Sequence, residues 1–80
     1  MPWFFFHNRT GTALAKDLEG AELPTLDVAC AEAILDLRQF AAAALRHNRP
    51  ISNRHINIHA PGGRLLATVS VQDAIGPLLP

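Results

Sequence analysis

Several things are scarce in this chain, and each scarcity excludes something. Cys30 is the single cysteine, so no internal disulfide can form, and the lack of any cysteine pair fits a reducing compartment. No apolar run is long enough to span a bilayer: the longest are Met1–Phe6 and the alanine run near residue 43, against the roughly 20 residues a crossing requires. The first six residues also lack the basic start and small-residue cleavage site of a signal peptide, so a cytoplasmic location is expected. Net charge is absent as well, with seven Lys and Arg against seven Asp and Glu. That balance argues against a protein whose main task is non-specific binding of nucleic acid. It also leaves self-association without strong electrostatic opposition. Linkers and internal repeats are missing, so residues 1–80 read as one domain near the small end of what folds unaided.

What is present is organised around residues 24–49. Leu26, Cys30, Ala33, Ile34, Leu37, Phe40, Ala41, Ala44 and Leu45 recur at steps of three and four, one stripe of an α-helix. Asp27, Glu32, Asp36, Gln39, Arg46 and His47 occupy the other side. Thr25 can cap its start and Leu23 can staple it. Asn48 is the expected C-cap, and Pro50 forbids continuation. The charges are segregated: six of the seven acids precede residue 37, and five arginines with no acid lie between Arg38 and Arg64. Within the helix this polarity suits the macrodipole.

The flanking segments alternate as strands do. Pro2–Asn8 puts Trp3, Phe5 and His7 on one face and Phe4, Phe6 and Asn8 on the other, so both faces are greasy. One helix can cover only one of them. The second must be covered by a loop, by the C-terminal tail or by another copy of the protein. Thr10-Gly11 marks a turn, and residues 12–18 can return as a short hairpin partner. Asp17–Glu22 reads as a tight acidic connection with Gly20 at a left-handed position. His55–His59 alternates strictly, with Ile56 and Ile58 inward. Pro61-Gly62-Gly63 turns the chain, and Arg64–Val69 returns with Leu65, Ala67 and Val69 inward and Leu66 outward. Ser70 and Asp73 have capping-box spacing ahead of one helical turn, VQDAI, which Gly76-Pro77 ends. The sum is an α+β two-layer domain in ββαββ order. An antiparallel sheet of three to four strands packs on one long helix, and a short C-terminal helical turn follows.

Taken together, Met1-Pro2, the aromatic run into His7 and Arg9, the stretch Asp17-Leu18-Glu19-Gly20-Ala21-Glu22-Leu23-Pro24-Thr25-Leu26, the alanine-rich helix, Pro50 and the Gly62-Gly63 hairpin resemble a known family. It is a group of small, mostly alphaproteobacterial proteins of unknown function, domain of unknown function 6894. The resemblance covers essentially the whole chain. Thr10-Gly11 stands where that family often has Asp-Gly. The resemblance implies the fold and brings no activity with it. More distantly, two strands and a helix opening at Leu23-Pro24 are similar in architecture to the partner-binding domain of HicB-type antitoxins, which implies a small protein partner.

No set of residues suggests catalysis, and no cofactor is expected. His55 and His59 have metal-pair spacing for a helix. On a strand they share a face but sit about 13 Å apart at ~3.3 Å per residue, too far for one zinc ion. His7 with His59 could meet across strands, without further ligands. Cys30 lies in the apolar stripe, where cysteine acts as a small hydrophobe. Asp17, Glu19 and Glu22 lack the ligand alternation of a calcium loop. Pro61-Gly62-Gly63-Arg64 precedes a strand, whereas a phosphate loop precedes a helix. No metal is therefore expected.

Two surfaces remain. Arg46, Arg49, Arg54, His55 and Arg64 could meet phosphates or an acidic protein partner. The aromatic residues that would stack bases are all in the first strand, away from this group. The apolar surplus, Trp3, Phe5, Leu66, Leu78 and Leu79 with Leu35 on the helix flank, exceeds what a two-layer domain of this size hides. Such patches usually mark an interface, most commonly a twofold homodimer. The expectation is a non-catalytic binding or structural domain that self-associates. An antitoxin-like partner module and a weak nucleic-acid binder are the alternatives.

Overall fold

The computed structural model describes residues 1–51 and 53–79. β1 (Trp3–Thr10) and β2 (Ala13–Ala15) form the first hairpin. A two-residue strand, β3 (Ala21–Glu22), precedes α1 (Leu26–Arg46). The second hairpin is β4 (Arg54–His59) and β5 (Leu65–Ser70), after which come α2 (Val71–Ile75) and a 3-10 turn, Gly76–Leu78. All pairings are antiparallel, in the order β2-β1-β4-β5, with β3 also on β1. This is the expected α+β two-layer architecture. No helix among the described residues is long and apolar enough to cross a membrane.

The acidic connection holds more structure than its sequence suggested, because Ala21 and Glu22 pair with Phe4 and Trp3. Asn8 lies opposite Ala15, so an unbroken strand would put residue 19 opposite Phe4; Ala21 is there instead. Two extra residues are therefore taken up between β2 and β3. Asp17 holds that detour to the sheet. Its carboxylate accepts the Phe6 N–H at 3.1 Å and the N–H groups of Glu19 and Gly20 at 3.2 and 3.1 Å. Gly20 has φ +73°, and a Cβ there would lie 2.9 Å from the Phe5 ring. Only glycine lets the loop close over Phe5, so a loop covers this part of the second aromatic face.

Helix α1 begins where predicted: the Thr25 hydroxyl accepts the Val28 N–H at 3.2 Å. At its end His47 is the cap and Asn48, at φ +55°, is the left-handed residue after it. Asn48 N–H reaches Leu45 O and Arg49 N–H reaches Ala44 O, a Schellman motif. The buried line is Ala29, Ala33, Leu37, Ala41 and Ala44. Ala29 joins it unforeseen. Leu45, placed in the stripe by periodicity, is 70% exposed. The small side chains let the helix approach β4 and β5 closely, where Ile56, Ile58 and Val69 complete the core. Val71 and Ala74 of α2 are buried too, with the Ser70–Asp73 capping box formed in both directions.

One strand assignment is reversed. The register shifts between Ile58 and His59, so that Ile58 faces Ala67 and His59 faces Leu65. This bulge gives Leu66 an extra place in the ladder and turns it inward against the core, leaving Leu65 exposed. Alternation alone had put Leu65 inside and Leu66 outside.

Candidate functional site

The apolar residues singled out from sequence do not form one surface. Leu66 packs on the core, Phe5 lies half-buried beneath Gly20, and Trp3, 45% exposed, shares the sheet face averted from the helix. Leu35 is exposed on α1. Of these, Leu78 and Leu79 come together, and they do so with residues outside that apolar set. Along with Ala41, Leu45, Ile51 and Ile75 they line an apolar groove of about 390 Å³ between α1 and the C-terminal turn. Leu45, Leu78 and Leu79 are 70%, 65% and 63% exposed. Arg38, at the groove's border, sets its width: its Nε donates to the Ala74 carbonyl at 2.8 Å. That bond satisfies an end carbonyl of α2 and holds the final turn against the helix.

The basic residues are dispersed as well. Arg46 and Arg49 lie at the end of α1, Arg64 sits in the second hairpin turn, and His55 is on the helix-averted face. Arg54, grouped with His55 from the sequence, is on the other side of the sheet from it, because strand alternation opposes the two. Its guanidinium lies 4.0 Å from the centre of the Phe40 ring. Its Nε donates to Thr10 Oγ1 at 3.0 Å. Asn8, Asp36, Gln39 and Phe40 line with it a groove of about 460 Å³. A second hollow of about 340 Å³, walled by Thr10, Ala13, Leu14 and Ala15, continues from Asn8 and Arg54. The floor follows from β1, whose helix-side residues change from Phe4 and Phe6 to Asn8 and Thr10 toward β2.

His7 and His59 do meet, with ring centroids 4.8 Å apart. His7 Nδ1 accepts the Asp17 N–H at 3.0 Å, so the neutral ring carries its proton on Nε2 and offers no lone pair there. His59 Nδ1 is 2.8 Å from the Gly63 carbonyl and must donate to it. Burial, then His59, then Lys16 hold the His7 pKa below the usual histidine value, against an opposing pull from Asp17. Among the described residues no three His, Cys, Asp or Glu side chains converge as a metal site.

Fold and grooves thus define a small two-layer α+β domain on which the Arg54 groove and the apolar groove beside α1 are separate hollows. The chain belongs to the family described as domain of unknown function (DUF6894), whose model matches residues 3–72. That span includes Asp17, Arg54 and the whole sheet, and it stops before Leu78 and Leu79. No curated protein and no solved structure matches the chain.

Proposed function

We propose that this protein is a non-catalytic binding domain that self-associates through the groove between α1 and its C-terminal turn. The observation that carries the reading is the convergence there of Leu45, Leu78 and Leu79, all largely exposed, around a groove with apolar walls. Contiguous apolar surface on a small domain is costly to leave in water. A second copy is the occupant that fits: a twofold axis beside the groove seats each copy's leucines in the other's, with no net charge to oppose approach. The groove supplies the centre of such an interface, and its rim must extend it toward the ~1,200–2,000 Å² of a stable complex.

The test is solution mass across a hundredfold concentration range at low and high salt, for the parent and for Leu45→Arg. A dimer that persists at high salt and dissociates in the variant is expected. A monomer throughout overturns the proposal. A stable complex with an unlike protein at this groove also overturns it, in favour of an antitoxin-like partner module.

A further inference from the structure

Arg54 is held on two sides, and neither contact is a carboxylate. Phe40 supports the guanidinium plane and Thr10 takes Nε. The two terminal nitrogens are left as a fork with no hydrogen-bond partner among the described residues. Arg54 is half-buried, and it has no acidic oxygen within 4.0 Å among the described residues. Asp36 lines the same groove without closing onto it. An oriented cation and a separate carboxylate therefore face one hollow, with the Asn8 and Gln39 carboxamides beside them.

From this arrangement we propose that the groove binds a free amino acid with an apolar side chain. The Arg54 fork takes the ligand's carboxylate in two parallel hydrogen bonds, the geometry for which a planar guanidinium is suited. Asp36 takes its ammonium. Asn8 and Gln39 supply the remaining donors and acceptors. The adjoining hollow, with Ala13, Leu14 and Ala15 in its wall, receives the side chain. A groove of about 460 Å³ falls in the size range of small-molecule sites. Asp36 opposes a ligand that carries negative charge alone. This site is separate from the apolar groove and does not depend on self-association.

The experiment is an NMR titration of the whole chain with L-leucine, with isocaproate (leucine without its amine) and with isoamylamine (leucine without its carboxylate). Leucine is expected to give saturable shifts at millimolar concentration or below, centred on the Asn8 and Gln39 side-chain amides and the Arg54 Nε–H. Each truncated probe is expected to bind at least about tenfold more weakly. Arg54→Gln and Asp36→Asn should each weaken leucine by a similar factor. Asp36 is on the exposed flank of α1, so its variant keeps the test decisive if Arg54→Gln fails to fold. The absence of saturable shifts overturns the proposal. So does isocaproate binding as tightly as leucine, which would make this an anion site only, or unchanged leucine affinity in Asp36→Asn.

Discussion

At His7 one hydrogen bond ties charge state to fold. The ring accepts the Asp17 N–H through Nδ1, and a protonated ring would set one donor against another. Burial, with His59 and Lys16 nearby, holds the folded pKa below the ordinary 6.5. As pH falls, the unfolded chain takes up this proton first, so stability falls across the window from 6.5 down to the lowered folded value. Asp17 acts at lower pH. Burial tends to raise its pKa, but N–H donors from Gly20, Phe6 and Glu19, with His7 nearby, outweigh that and hold it below the usual 3.8. Its contribution is present above 3.8 and is lost as pH falls through the lowered folded value. Urea midpoints measured against pH should therefore decline in two stages. In His7→Gln, whose side-chain oxygen can still accept the Asp17 N–H, the upper stage should shrink and the lower remain. An upper stage of undiminished size would place its origin in another histidine.

At the scale of elements, two close approaches define what can be changed. The loop between β2 and β3 touches Phe5 through Gly20 at φ +73°. Gly20→Ala should cost about 1–2 kcal/mol from the left-handed backbone alone, and more from the contact with the ring, read as a lower urea midpoint. The alanine face of α1 is the second. Ala33 is fully buried against the sheet layer, so Ala33→Leu should destabilise by about 1–3 kcal/mol through overpacking. Leu37→Ala, at the centre of the same face, should cost about 2–5 kcal/mol by leaving a cavity. Opposite volume changes on one face should thus both lower the midpoint. An unchanged midpoint in either variant would place the helix in a different rotation.

Over the whole molecule the main fact is incomplete cover. Helix α1 lies over β4 and β5, α2 packs on α1, and the β1–β2 side of the layer stays open as the Arg54 groove. The extents, 38 × 26 × 16 Å, describe a thin slab, and the Arg54 groove and the apolar groove beside α1 are separate hollows on it. In Leu45→Arg the sheet core is untouched, because Leu45 is largely exposed. That variant should keep the parent's helical circular dichroism while shifting mass toward the monomer. Loss of the circular dichroism would show that the groove is part of the folding core.

The helix, its Thr25 cap, the two hairpins and the Ser70–Asp73 box were legible in the chain because each depends on residues within a few positions of one another. Hydrophobic period, capping chemistry and turn residues are local, so the α+β two-layer architecture followed from them. The two-residue β3, which adds a third strand before the helix and makes the order βββαββ, did not, because only its pairing with β1 defines it. What the tertiary structure decided was sidedness. Leu45 is one residue beyond Ala44, about 100° around the helix, and only the position of β4 and β5 determines which of the two is buried. Leu65 and Leu66 exchanged faces because a single bulge changes the count of alternation, and no local signal marks it. Arg54 looked like one cation among several until its neighbours were known. Thr10, Phe40 and Asp36 are distant in sequence, and the register of β1 with β4 and the placing of α1 bring them to one groove.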